Sequence, residues 1–250
     1  MLIVGDIGNS DTKICIINSR NKIIKKITFP SKNINSSYLK KKIPHSYFKK
    51  LDIDNSLFCS VVPKTFYLIK KHLQKYFKIR SIEIKDLKIE KIIKIKVNKK
   101  QNGSDSLVNA IAVMDSKKNH IILDFGTATT FDVVIKNVYH GGVIAPGVKL
   151  SLKTLVSNAS LIPNMNLKKI NKVIGINTLG AVRSGFYWGY VGLIDNIIYL
   201  IKKETKRSFK LIITGGFSNL FTNSLKNKAF IDKELTIKGL VKIAKISKIK

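Results

Sequence analysis

A short apolar strand that ends in Asp-x-Gly, runs on through hydroxyl- and amide-bearing residues and enters a second strand occurs twice in this chain. The first copy is Leu2–Val4, then Asp6-Ile7-Gly8-Asn9-Ser10, then the apolar run Ile14–Ile17. The second is Ile121–Leu123, then Asp124-Phe125-Gly126-Thr127-Ala128-Thr129-Thr130, then Phe131–Ile135. The two aspartates lie 118 residues apart in a chain of 250, close to half its length. One such hairpin says little. Two at half-length spacing point to a duplicated α/β domain whose turns face each other across a cleft. The polar break Asp115-Ser116-Lys117-Lys118-Asn119 sets the expected division, residues 1–115 and 116–250.

The remaining elements follow from periodicity. Ile23–Ile27 adds a third strand to an N-terminal meander, and Leu57–Val62 is a buried strand closed by Pro63. Phe66, Ile69, Leu73, Tyr76 and Phe77 form the apolar stripe of a helix, as do Leu107, Ala110, Ile111 and Met114. Ser81–Val97 alternates Ile with Lys or Glu and predicts an exposed strand. Thr178–Lys203 is the longest helical candidate, and Ala181, Gly185, Gly189 and Gly192 give it a small-residue stripe. Glycine costs a helix roughly 1 kcal/mol per site, so the stripe suits close approach by another helix, from the other domain or a second subunit. Leu211–Ile213 is a last core strand ending at Thr214-Gly215-Gly216, and the tail after Asp232 reads as a closing helix.

Composition bears on partners and compartment. The formal charge is +31, yet 42 of the 46 basic residues are Lys and only Arg20, Arg80, Arg183 and Arg207 are Arg. Base readout and bidentate phosphate clamps favour Arg. Lys, 39 Ile and 20 Asn all have A/T-rich codons, so an AT-rich genome accounts for the excess and no specific nucleic-acid partner is expected. Cys15 and Cys59 both lie in apolar runs and read as buried free thiols, which suits a reducing cytoplasm. No signal peptide or membrane span is expected: Asp6 follows the short run Leu2–Val4, and Asp195 interrupts Ser184–Ile201.

Four segments carry possible chemistry. In Asp6–Lys13, Gly8 admits backbone approach, Asn9, Ser10 and Thr12 offer short donors, and Lys13 offers a cation, all useful to a polyphosphate. Asp6 can hold Mg²⁺, a hard cation that prefers oxygen; a turn whose Asp and Asn merely cap backbone groups is the structural alternative. Asp124–Thr130 repeats this logic around Gly126, with Thr127, Thr129 and Thr130. Thr214-Gly215-Gly216-Phe217 would let a base or ribose lie against bare backbone, or is an ordinary strand-to-helix turn. Asp105, in Gly103-Ser104-Asp105-Ser106, is either a helix N-cap or the general base that takes a proton from a substrate hydroxyl. His45, His72, His120 and His140 are scattered and give a hydrolase triad little support.

Together these motifs resemble the type III pantothenate kinases of the acetate and sugar kinase/Hsp70/actin superfamily, nearly end to end. Asp6–Lys13 resembles that family's N-terminal phosphate loop, and Ser60-Val61-Val62-Pro63 its Ser-Val-Val-Pro segment. Asp124-Phe125-Gly126-Thr127-Ala128-Thr129-Thr130-Phe131-Asp132 is similar to the second phosphate motif and is the most specific match. Gly141-Gly142-Val143-Ile144-Ala145-Pro146-Gly147, Asn177-Thr178 with Ser184-Gly185, Thr214-Gly215-Gly216 and Leu235-Thr236-Ile237-Lys238-Gly239-Leu240 resemble later signatures.

The resemblance implies two duplicated ribonuclease-H-like (actin-like ATPase) domains with ATP in an interdomain cleft. It implies phosphorylation of pantothenate in the first step of coenzyme A synthesis. Carried over by position, Asp6, Ile7, Gly8, Asn9, Ser10, Asp11, Thr12, Lys13, Thr127, Gly215 and Gly216 would contact ATP. Gly103, Ser104, Asp105, Ser106 and Thr178 would meet the substrate, with Asp105 as base. Asp124 would hold a monovalent cation (K⁺ or NH₄⁺) and Asp6 Mg²⁺, and a homodimer would suit the glycine stripe. The chain departs from the family's Gly-x-Asp-Arg at Ser106, and Lys96–Asn102 lacks the usual Tyr and Pro. Losing the Arg removes a charge-assisted contact to the acceptor. A non-catalytic ATP-binding regulator, or a kinase for another small hydroxy acceptor, is therefore the alternative reading.

Overall fold

Short β-branched runs separated by tight turns build two sheets in the computed structural model, which describes residues 1–44, 52–98 and 103–249. The chain divides into two units, Met1–Val113 with Glu234–Lys250, and Met114–Lys233. In the first, β1 (Leu2–Ile7), β2 (Asp11–Ile17) and β3 (Ile23–Pro30) form an antiparallel meander. β4 (Asn55–Ser60) adds parallel to β1, and β5 (Arg80–Glu83) parallel to β4, giving the order β3-β2-β1-β4-β5. A two-residue strand, β6 (Lys94–Ile95), lies between β5 and the helix that begins at Ser104.

Helices accompany these strands. α1 (Ser36–Lys42) is capped by the Asn35 side chain, which accepts the Tyr38 N–H. α2 (Pro63–Phe77) starts with Pro in the first turn, where its missing N–H costs nothing. It buries Phe66, Ile69 and Leu73, the stripe expected from the sequence, against Ile3, Ile14, Ile16 and Phe58. α3 (Ser104–Val113) follows.

The second unit repeats the plan. β7 (Asn119–Phe125), β8 (Ala128–Ile135) and β9 (Val138–Pro146) form an antiparallel meander. β10 (Lys210–Gly215) pairs parallel to β7 and β11 (Ala229–Ile231) parallel to β10, so this unit's own five strands run β9-β8-β7-β10-β11, the order of the first sheet. α4 (Val148–Asn158), α5 (Thr178–Thr205) and the single turn α6 (Ser218–Phe221) complete it. Asn177 caps α5 by accepting the Gly180 N–H, and at about 1.5 Å per residue α5 is about 42 Å long. Its buried face, Tyr187, Tyr190, Ile194 and Ile198, packs on Ile121, Leu123, Phe131 and Ile213. Among the described residues no helix is long and apolar enough to cross a membrane.

Two expectations change. The closing helix α7 (Leu235–Ile246) belongs to the first unit, not to a second domain running through residue 250. Leu235, Ile237, Leu240 and Ile243 are its buried face, and Gly239 fits tightly against α3. Ser81–Val97 is not one exposed strand: after β5 the chain makes two 3₁₀ turns, Ile84–Asp86 and Ile89–Lys91. Ile84, Ile89 and Ile93 are buried there, and their spacing of five and four breaks the two-residue repeat a strand needs. Cys15 and Cys59 are buried free thiols, as the sequence indicates. The expected absence of Tyr and Pro upstream of Gly103 concerns Lys96–Asn102, of which residues 99–102 lie outside the described residues.

Candidate active site

In open α/β sheets the carboxyl ends of neighbouring parallel strands leave room for a ligand. In the first unit those ends belong to β1 and β4. Asp6 stands opposite Lys13 across the β1–β2 pair and beside Cys59 on β4. The turn between β1 and β2 closes on a hydrogen bond from Gly8 N–H to the Asp11 carbonyl, 3.0 Å, and leaves Asn9, Ser10 and Asp11 exposed.

Two of the phosphate-loop candidates contribute differently. Ile7 is buried in the core and its carbonyl accepts the Val61 N–H, so it offers no side chain to a ligand. Thr12 is fully buried, and its hydroxyl shares a 2.8 Å hydrogen bond with that of Ser31. Alternation along β2 places it with Ile14 and Ile16, away from Asp11 and Lys13.

The acceptor segment meets the same strand ends. Ser104 is buried and its hydroxyl donates to the Ser60 carbonyl, the last residue of β4, at 3.3 Å. Ser60 itself lies beside Ile7 in the β1–β4 register. Asp105 is the second residue of α3, in its first turn and not at the cap, and its carboxylate accepts the Ser106 N–H at 3.0 Å. It remains partly exposed.

Electrostatics tie these residues together. Burial pushes the Asp6 carboxyl up to about 6, Lys13 opposes that rise, and the Asp105 charge adds to it. Cys59 is driven well above the usual thiol range, first by burial and then by Asp6 and Asp105. A desolvated carboxylate whose rise is opposed by Lys13 and increased by the charge of a second carboxylate is an oxygen donor set that favours a cation. That suits Mg²⁺, which is held by one or two carboxylates together with substrate phosphates. No group of three or more His, Cys, Asp or Glu able to cage a metal exists among the described residues.

The second unit places its motifs by the same rule. Asp124 sits at the carboxyl end of β7 beside Thr214 of β10, and opposite Thr130 where the first copy has Lys13. Gly126 N–H bonds to the Ala128 carbonyl at 2.9 Å, closing the turn and exposing Thr127. Gly215 has φ +86°, and a Cβ there would lie 2.5 Å from the Phe125 carbonyl oxygen and 2.6 Å from Asp124 Oδ1. Any side chain there would crowd both oxygens, and a bare backbone flanked by hard oxygens suits a monovalent cation. Gly216 is exposed and its N–H bonds to the Phe125 carbonyl at 3.0 Å.

Gly147, at the α4 cap, presses on the same turn: a Cβ would overlap the Thr127 carbonyl oxygen and sit 3.1 Å from that of Gly126. Sequence reasoning missed this support, and that of Ser60 for Ser104, although both residues lie in its quoted motifs. Thr178 is the exposed first residue of α5.

The repeated sheet order, with an aspartate at the end of each central strand, is that of the actin-like ATPase and sugar-kinase fold. A ROK family glucokinase from Streptomyces griseus, solved with glucose and AMPPNP, shares the fold: the TM-score is 0.56 with 9% identity, covering 98% of each chain. Sequence narrows the class. The family model for type III pantothenate kinase matches residues 2–199. A type III pantothenate kinase of Pelagibacter ubique is 60% identical over 248 residues, 99% of this chain and 100% of the relative. One from Paramagnetospirillum magneticum is 38% identical over 197 residues, 78% of this chain and 76% of the relative. The chain belongs to the type III pantothenate kinase family.

The raised Asp6 carboxyl gives a pH-dependent prediction. Its folded value of about 6 exceeds the unfolded 3.8, so its stability contribution is fully present below pH 4 and is lost as pH rises through 6. Asp6→Asn should therefore stabilise the ligand-free protein at pH 7 to 8, by up to about 3 kcal/mol. The gain should vanish below about pH 4. Urea melts of both proteins across that range measure it, and equal stability at pH 8 contradicts the assignment.

Proposed function

We propose that this protein phosphorylates pantothenate with ATP to give 4′-phosphopantothenate and ADP, the first step of coenzyme A biosynthesis. The observation that carries the reading is the convergence of Asp6, Lys13, Ser60 and the α3 start, with Asp105, at the ends of β1 and β4. Full-length similarity at 60% identity supports pantothenate as the acceptor.

Phosphoryl transfer asks a protein mainly for positioning and charge neutralisation. The Gly8–Asp11 turn and Lys13 receive the triphosphate, and Thr127, Gly215 and Gly216 are further candidates for contact with ATP. Asp105 accepts the proton of the pantothenate hydroxyl while the hydroxyl oxygen bonds to the γ-phosphorus. The bond from that phosphorus to the β–γ bridging oxygen breaks, and ADP departs. Mg²⁺ held at Asp6 and K⁺ or NH₄⁺ held at Asp124 supply positive charge against the phosphates when bound. Gly103, Ser104 and Ser106 form the segment that meets the acceptor, and Thr178 is a further candidate for contact with it. Ser106 stands where the family has Arg, so acceptor binding loses a bidentate charged contact. That substitution favours, as a second reading, another small hydroxy acceptor or an ATP-binding regulator.

We also assign the protein to the cytoplasm, where its two buried free thiols stay reduced, and to a homodimer. Among the described residues nothing comes within 4 Å of a Cβ placed on Gly185, Gly189 or Gly192. The same unit exposes Ile144, Leu161, Ile174 and Ile176 almost completely. A second copy of the chain covers these surfaces.

Asp105→Asn should lower turnover by at least about a thousandfold, the upper part of the range for a lost general base, and leave ATP affinity nearly unchanged. Labelled ATP with pantothenate, with and without K⁺, and a panel of related alcohols decides the acceptor. Phosphate transfer to a different alcohol, or ATP binding without any phosphorylated product, selects the second reading. Gly189→Leu should shift sedimentation from dimer to monomer; a wild-type protein that sediments as a monomer at micromolar concentration rejects the homodimer.

A further inference from the structure

The closing helix α7 holds α3 at two points one helical turn beyond Asp105. Thr236 Oγ1 donates to Asn109 Oδ1 at 2.9 Å, and Asn109 is only 1% exposed. Three residues along α7, a Cβ on Gly239 would overlap the Val108 carbonyl oxygen and lie 2.6 Å from Val108 Cγ1. Val108 and Asn109 follow Asp105 by three and four residues, so the helical repeat stacks them on the face that carries it. The start of α3 is held separately, by Ser104 on the Ser60 carbonyl.

An α-helix is stiff over one turn, about 6 Å. A shift imposed at residues 108–109 therefore reaches residue 105 with little loss. A base must stay within hydrogen-bond reach of the proton it abstracts. Displacement of a reacting group by 1 Å can cost about a hundredfold in rate.

We infer that α7 is a latch on the base-bearing helix, and that Thr236 and Gly239 are positioning residues that set where the Asp105 carboxylate lies. The inference rests on Asp105 acting as the base in the proposed reaction. A segment more than 120 residues further along the chain than α3 thereby fixes the geometry of the proton acceptor without touching substrate. Thr236 contributes a directional bond that resists rotation of α3, while Gly239 sets the distance between the helix axes.

The test compares Thr236→Val, which keeps the side-chain shape and deletes the hydroxyl, with Thr236→Ser, which keeps the hydroxyl. Asp105→Asn and the double variant are measured alongside, all well below their unfolding midpoints. Thr236→Val should lower kcat about ten- to a hundredfold, with KM for ATP and the Kd of ADP unchanged. Thr236→Ser should recover most of that kcat, and the double variant should be no slower than Asp105→Asn alone. Should Thr236→Val fail to fold, Thr236→Ala removes the same hydroxyl without added bulk and should show the same split.

A Thr236→Val protein with a lowered unfolding midpoint but wild-type kcat overturns the latch while leaving Asp105 as the base. So does a double variant slower than Asp105→Asn by the full Thr236→Val factor. Wild-type turnover in Asp105→Asn removes the base reading itself, and the latch with it.

Discussion

A carboxylate withdrawn from water at the end of a central strand is the constraint on which the rest of this structure depends. Asp6 sits where β1 and β4 run parallel, opposite Lys13, and within the field of Asp105. Ionising it there costs the folded protein free energy. The surrounding elements keep the carboxylate in place: the Gly8–Asp11 turn fixes the end of the hairpin, and the Ser104–Ser60 bond brings Asp105 to the same edge.

The two halves share a sheet order but have divided their chemistry. At the position of Lys13 the second half carries Thr130, and at that of Cys59 it carries Thr214. Its turn is instead shaped by glycines, with Gly147 against Thr127 and Gly215 against Asp124 and Phe125. The first half thus concentrates titratable groups, and the second offers bare backbone and hard oxygens. The closing helix also returns to the first half, so the unit that carries Asp105 includes Glu234–Lys250.

Much of this was legible in the sequence where the signal is local. Strand, Asp-x-Gly, strand can be read from a dozen residues, and the apolar repeat of α2 gives its helix directly. The inward orientation of Thr12 was also within reach, since it shares parity with Ile14 and Ile16 on a two-residue repeat. The region after β5 misled because a few Ile/Lys alternations imitate a strand, while the anchors Ile84, Ile89 and Ile93 follow another spacing. Helices α1 and α4 were not anticipated: each buries at most two residues, too few to impose a stripe. The contacts of Gly239 with Val108 and of Gly147 with Thr127 join residues distant in the chain, and no local pattern encodes them.

The most direct measurement of the central claim is the proton exchanged when nucleotide binds. Calorimetric titration of the holoprotein with Mg²⁺–ADP, in buffers of different ionisation enthalpy from pH 5 to 8, reads that number. With Asp6 titrating at about 6, binding should release about half a proton near pH 6 beyond what the nucleotide itself contributes. The excess should fall to zero by pH 8 and be missing in Asp6→Asn. Identical proton release by wild type and Asp6→Asn throughout that range would contradict the account.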